Sequence, residues 1–137
     1  MKRSFSLLEL IFVVAIVTII ASTAIGKFSS SLSKATILKL KGDITHIRDG
    51  LNNYKNQNIL LNSQDSLDDL DSDGILFKKL LSYPIVSSNT KGGWEKISSS
   101  SYKAWVSKED FVLFNYDSTN FTFDCDIKDD LCKELTQ

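Results

Sequence analysis

Side chains that could perform enzyme chemistry are few and scattered in this sequence. His46 is the single histidine among 137 residues, and it lies between Asp43 and Asp49. The sequence shows no Ser-His-Asp set for nucleophilic catalysis, no glycine-rich phosphate loop and no quartet of metal ligands. We therefore expect His46 to be a solvated helix position and the protein not to be an enzyme.

One acidic stretch has the spacing of a metal-binding loop. Residues 69–74 read Asp-Leu-Asp-Ser-Asp-Gly, which matches the first half of the EF-hand calcium loop, D-x-D-x-D-G. The twelfth position of that loop is Leu80 instead of the glutamate that supplies two ligand oxygens. The sequence therefore favours a solvated acidic turn, and it leaves Asp69, Asp71 and Asp73 as weak calcium candidates.

Basic and aromatic residues alternate between positions 91 and 108, a pattern that can hold single-stranded nucleic acid. The formal net charge of −1 gives no bulk signal for nucleic-acid binding. Aromatic residues at strand spacing more often belong to a core, so direct DNA contact is disfavoured. The residues concerned are Lys91, Lys96, Lys103 and Lys108, with Trp94, Tyr102 and Trp105.

A carboxylate interrupts the apolar N-terminal run. Residues 5–26 are long enough to cross a membrane, and their one charged side chain is Glu9. The basic residues Lys2 and Arg3 precede this run and predict a cytoplasmic N-terminus. A carboxylate inside such a run costs roughly 2.5–3.5 kcal/mol on insertion, so its presence needs an explanation.

Three N-terminal signals fit this region. A secretory signal peptide and a plain single-pass anchor have no use for the Glu9 carboxylate. A cut after Ser4 gives it one, because the freed α-amine of Phe5 could pair with Glu9 of a neighbouring subunit. The sequence therefore favours a signal that is cut just before the apolar run.

The run Lys-Arg-Ser, followed by Phe-Ser-Leu-Leu-Glu-Leu-Ile-Phe-Val-Val-Ala-Ile, resembles the prepilin leader of the type IV pilin and pseudopilin family. The resemblance covers residues 1–22. It implies that a prepilin peptidase cuts between Ser4 and Phe5 and N-methylates Phe5, and that Glu9 sets subunit registration. The family usually has glycine at the position of Ser4, where we expect another small residue to be tolerated.

The spacing of Cys125 and Cys132 alone leaves open a disulfide or two free thiols. The resemblance implies an oxidising periplasmic environment, and pilins commonly close a C-terminal loop in this way, so we expect a disulfide. Several pseudopilins bind calcium in a C-terminal loop, which makes a second set of carboxylates candidates: Asp124, Asp126, Asp129 and Asp130.

Apolar residues at alternating steps of three and four predict that a helix over residues 5–58 is amphipathic in its second half. A short helix is predicted over 75–82. Strand-like alternation covers 94–97, 102–106, 111–116 and 121–125, and 117–120 form a hairpin turn. The helical stripe comprises Ile37, Leu40, Ile44, Ile47, Leu51 and Tyr54.

The predicted fold is α+β: a long N-terminal helix, half membrane and half amphipathic, packed on a small antiparallel β-sheet. The resemblance implies this pilin-like architecture. The predicted domains are a leader peptide, a transmembrane and polymerisation helix, the amphipathic half of the helix, and a β-rich globular domain. They cover residues 1–4, 5–26, 27–58 and 59–137.

The resemblance implies a structural subunit of a type IV pilus-like filament, a pseudopilin, placed as a single-pass protein in the bacterial inner membrane with a periplasmic C-terminal domain. Its expected partners are other pilin subunits, prepilin peptidase and an inner-membrane assembly platform with its ATPase. Type II protein secretion, DNA uptake for transformation and a surface pilus are left open. The alternative is a non-polymerising, membrane-anchored periplasmic binding module. No cofactor is expected besides the weak calcium candidates.

Overall fold

The computed structural model describes residues 6–137, apart from the side chains of residues 23–32. The chain divides into two compact units, Met1–Lys34 and Ala35–Gln137. The elements in chain order are α1 (Leu7–Leu61), β1 (Ile75–Leu76), β2 (Ile85–Val86), β3 (Trp94–Ser98), β4 (Ser101–Trp105), β5 (Phe111–Asp117), β6 (Thr122–Cys125) and α2 (Asp130–Thr136).

Local signals in the sequence set both ends of α1. At its start, the Leu10 N–H donates to the Ser6 carbonyl oxygen over 3.2 Å. At its end, Asn62 adopts a left-handed backbone with φ of 49°, which asparagine tolerates better than most residues. The Ser63 N–H then reaches back to the Asn58 carbonyl over 3.0 Å. This reverse turn satisfies carbonyls that the helix end would leave unpaired.

The apolar stripe of α1 lies in the hydrophobic core of the second unit. Leu40, Ile44, Ile47 and Leu51 are buried there, and Ile37 and Tyr54 pack against them at its edge. The predicted stripe is confirmed. Each buried Leu or Ile side chain contributes roughly 1.5–3 kcal/mol relative to exposure, so this stripe is a main anchor of the helix.

Four antiparallel strands face the stripe, in the order β3-β4-β5-β6. Burial alternates along β5, where Val112, Phe114 and Tyr116 point inward and the residues between them are exposed. This period of two is expected for a sheet with one face on a core. The four predicted strand runs match these strands to within one or two residues.

A disulfide joins Cys125, the last residue of β6, to Cys132 in α2, as predicted. Asp129 begins α2, because its carboxylate accepts a hydrogen bond from the Leu131 N–H at 2.9 Å. Leu135 and Cys132 turn inward to the core. The disulfide and the helix cap therefore hold the C-terminal segment against the sheet.

The predicted fold class is wrong as stated. The six strands form two antiparallel sheets, a pair β1-β2 and the four-stranded sheet, where one small sheet was expected. Across the described residues, no helix is long and apolar enough to cross a membrane. This finding contradicts the predicted transmembrane helix and the single-pass inner-membrane localisation.

The short helix predicted over residues 75–82 is also wrong. Ile75 and Leu76 form a strand that pairs with Val86 and Ile85, and turns follow. Phe77 has a positive φ of 56°, which no right-handed helix contains. Its ring is fully buried, so its place in the core decides the conformation of this segment.

Candidate functional site

The first turns of α1 expose an apolar surface on every side. The large apolar side chains of residues 7–20 are each about half or more exposed, from 48% for Val13 to 77% for Leu7. The hydroxyls of Thr18 and Ser22 bond to the backbone of their own helix. Thr18 donates to the Ala15 carbonyl and Ser22 to the Ile19 carbonyl, both at 2.8 Å. The segment therefore offers a partner an almost wholly apolar surface.

Glu9 is the one charged residue in this surface, and it takes part in the start of α1, which was not predicted. Its main-chain N–H donates to the Ser6 hydroxyl oxygen over 3.4 Å. Ser6 and Glu9 have the spacing of a capping box, Ser-x-x-Glu, in which the glutamate also favours the helix start through the helix dipole. The signal Ser6-Leu7-Leu8-Glu9 was present in the sequence. The exposed Glu9 carboxylate is therefore suited both to helix capping and to pairing with a cation.

The other residues of the predicted processing site, Ser4 and Phe5, lie outside the described residues. Cleavage between them and methylation of Phe5 therefore stay predictions.

The first calcium candidates already hold a cation of the chain itself. The Lys96 ammonium lies 2.9 Å from Asp69 Oδ2 and 2.7 Å from Asp71 Oδ2. Burial alone would raise the pKa of Asp69, but hydrogen bonds from the Asp71 N–H and Lys96 hold it below its usual value. Asp73 pairs separately with Lys78 at 2.9 Å, which lowers the pKa of its carboxyl.

The C-terminal candidates are dispersed into local contacts. Asp124 pairs with Arg48 at 2.7 Å, and Asp126 accepts a hydrogen bond from the Lys128 N–H. Asp129 caps α2, and Asp130 pairs with Lys133 at 3.2 Å. Within the described part of the chain, no three Asp, Glu, His or Cys side chains come together in a way that could hold a metal ion.

The lysines and aromatic residues of the suspected nucleic-acid surface are separated by the sheet. Trp94 and Tyr102 are fully buried, and Lys96 is held by Asp69 and Asp71.

Lys103 stays on the outer face, where its ammonium lies 4.3 Å from the ring centre of Phe111 and 5.5 Å from that of Trp105. Trp105 in turn donates its indole N–H to Glu95 over 3.1 Å. Trp94, Tyr102 and Lys96 therefore do not share one surface with Lys103 and Trp105.

A buried carboxylate on α1 was not anticipated. Asp43 is 6% exposed and accepts hydrogen bonds from Lys39 Nζ at 3.0 Å, the Tyr83 hydroxyl at 3.1 Å and the Trp94 indole at 3.0 Å. Lys39 also donates to the Gly92 carbonyl over 2.7 Å. These bonds tie α1 to β3 and to the loop before it. No sequence signal marks this aspartate, because its partners are distant in the chain.

Comparison with known proteins adds no relative. No protein-family model, curated protein or solved structure matches this chain. The function must therefore be argued from the residues and their geometry.

Proposed function

We propose that this protein is a structural subunit of a type IV pilus-like filament, a pseudopilin, and that copies associate through the apolar first turns of α1. The observation that carries this proposal is the exposed apolar surface of residues 7–20. A surface of this kind on one helix, joined to a separately folded unit, is suited to burial against copies of itself.

The energetics favour association. Eleven large apolar side chains are exposed between Leu7 and Ile20. Because these side chains are 48–77% exposed, their burial gives on the order of 10–20 kcal/mol at roughly 1.5–3 kcal/mol for each fully buried side chain. This is similar to or larger than the roughly 4–15 kcal/mol that association costs in lost freedom of motion.

Apolar packing alone does not fix how far one helix slides along another. A charge inside the packed surface can fix the position of one helix along the other, because an unpaired carboxylate between apolar helices is strongly unfavourable. In the proposed filament, Glu9 of one subunit pairs with the α-amine of Phe5 of its neighbour, which cleavage after Ser4 would free. The pair would select one register.

The proposal implies a defined set of partners. Prepilin peptidase would cut and methylate the chain, and an assembly platform with its ATPase would add subunits to the filament. Other pilin-like subunits complete the assembly. Type II protein secretion and DNA uptake for transformation are both compatible with such a filament.

The experiment is crosslinking of mature subunits through cysteines engineered in the apolar segment, such as Val13→Cys with Ile16→Cys. Glu9→Gln keeps a residue that suits the capping box but removes the charge. Because the α-amine then lacks its partner, we expect crosslinking between subunits to fall by about tenfold or more. The intact mass of each variant checks that residues 1–4 are still removed.

Ser6→Ala is the matched control, because it removes the cap of α1 and leaves the Glu9 charge. We expect it to weaken the helix start by about 1 kcal/mol and to leave the crosslinking pattern unchanged. Equal crosslinking in Glu9→Gln and the parent would reject the register pair. Absence of crosslinks in the parent would reject polymerisation and favour a module that acts alone.

A further inference from the structure

A lysine from the sheet occupies the acidic loop of residues 69–74. Lys96 lies on β3 and reaches across to the loop, where its Nζ is 3.0 Å and 2.9 Å from the two Asp69 carboxylate oxygens. The same ammonium is 2.7 Å from Asp71 Oδ2. One cation is thus shared by two carboxylates that are the first and third positions of a D-x-D-x-D-G pattern.

The backbone of the loop is folded around these carboxylates. Asp69 Oδ1 accepts the Asp71 N–H at 3.0 Å, and Asp71 Oδ1 accepts the Phe77 N–H at 2.8 Å. Asp71 therefore uses one oxygen to shape the loop and presents the other to the cation, whereas Asp69 Oδ1 contacts both the Asp71 N–H and the Lys96 ammonium. Gly74 has a φ of 75°, a left-handed turn that glycine adopts without strain.

A buried hydroxyl marks the inner side of the same cluster. Tyr102 is fully buried, and its hydroxyl lies beside the Asp71 carboxylate, outside the geometry of a full hydrogen bond. Burial, followed by the charges of Asp71 and Asp69, raises the pKa of Tyr102 strongly. A neutral phenol oxygen next to two carboxylates is an additional oxygen donor for a cation.

We propose that residues 69–74 form a cation-binding loop whose cation is the tethered ammonium of Lys96, and that this ammonium keeps divalent metal out of the native chain. The two carboxylates of the cluster suit a hard cation such as Ca²⁺, which takes carboxylate, carbonyl and water oxygens. An ammonium attached to the chain is always present at the site, so the loop is ordered without any metal. This inference is independent of the proposed filament.

The test is to remove the ammonium and supply calcium. The full chain with Lys96→Met keeps most of the side-chain volume but leaves Asp69 and Asp71 without their cation. We expect a lower melting temperature than the parent in metal-free buffer and recovery in millimolar CaCl₂, because a ligand that binds only the folded state stabilises it. The parent melting temperature should not change with calcium. Terbium(III), a luminescent substitute for calcium, should give sensitised emission in Lys96→Met several-fold above the parent.

Two further variants separate this site from general charge effects. Lys78→Met removes the exposed partner of Asp73 and should gain no calcium response. Asp71→Asn added to Lys96→Met should abolish the response. If Lys96→Met does not fold without metal, folding on addition of calcium supports the proposal. The proposal is overturned if calcium stabilises the parent as much as Lys96→Met, or if neither Lys96→Met nor Lys96→Gln responds to calcium or terbium.

Discussion

Two carboxylates on the same helix are accommodated in opposite ways. Asp43 is buried and satisfied within the chain by three donors from three different segments. Glu9 is exposed among apolar side chains, where its described contact is the main-chain bond to Ser6. A buried acid with its full set of partners stabilises the fold it belongs to. An exposed acid in an apolar surface instead needs a cationic partner when another molecule covers that surface.

Removing the Asp43 carboxylate should therefore damage the fold. We expect Asp43→Ala to lower the free energy of unfolding by about 2–4 kcal/mol, because the buried Trp94 indole N–H is left without an acceptor. Chemical denaturation followed by tryptophan fluorescence measures this change. Asp49→Ala, a change at an exposed position six residues along the same helix, is the control and should stay within about 0.5 kcal/mol. Equal effects of the two changes would contradict the role given to Asp43.

At the scale of elements, periodicity was informative and local propensity was not. The stripe with Leu40, Ile44 and Leu51 and the four strands could be read from the sequence, because a buried face imposes a period of 3.6 or 2 on the residues that form it. The segment 75–82 could not, because Phe77 packs 4.6 Å from Tyr102 and 5.4 Å from Trp94, measured between ring centres. Such long-range packing overrides the helical preference of a short segment.

Two glycines in α1 give a matched test of how closely the segment of residues 77–82 approaches the helix. A Cβ on Gly50 would lie 2.9 Å from Leu80 Cβ and 3.2 Å from its carbonyl oxygen, whereas a Cβ on Gly42 would meet nothing within 4 Å. Alanine favours a helix by up to about 1 kcal/mol over glycine. We expect Gly42→Ala to stabilise the chain by up to that amount and Gly50→Ala to destabilise it by about 1–3 kcal/mol through overpacking.

Thermal unfolding of Gly42→Ala and Gly50→Ala, compared with the parent, measures whether each substitution stabilises or destabilises the chain. Stabilisation by both substitutions would show that the 77–82 segment moves away from α1 without loss, and that Leu80 does not fix its position.

At the scale of the whole molecule, the acidic sites show what a sequence cannot place. Asp69 and Asp124 were weak calcium candidates in the sequence, and each lies beside a basic residue from a distant element, Lys96 and Arg48 respectively. The tertiary fold decides these pairings. The disulfide between Cys125 and Cys132 was predicted from the resemblance to pilins, because their spacing alone left free thiols open. In the folded chain these carboxylates therefore form separate ion pairs that connect different elements.

The tyrosines make this assembly of elements sensitive to high pH. Burial, followed by the charge of Asp43, raises the pKa of Tyr83 to about 12, and burial, followed by the charge of Asp68, raises that of Tyr116 to about 12. Burial raises the pKa of Tyr102 further still. Each phenol is neutral in the folded chain at a pH where a tyrosine in the unfolded chain, with a pKa near 10.0, has lost its proton. Stability is therefore fully present below pH 10 and falls as the pH rises toward 12.

We expect the part of tyrosine ionisation that comes from Tyr102 and Tyr116, followed by ultraviolet absorbance, to rise together with loss of circular dichroism above pH 10. The two signals coincide because Tyr102 and Tyr116 are buried and reach the solvent only when the sheet separates from α1. Tyr116→Phe removes one phenol, together with its hydrogen bond to the Leu67 carbonyl at 2.7 Å. It should lower stability at neutral pH and make the alkaline loss of stability less steep. Ionisation of all tyrosines near pH 10 with unchanged circular dichroism would contradict this account, because it would mean that the phenols are accessible in the folded chain.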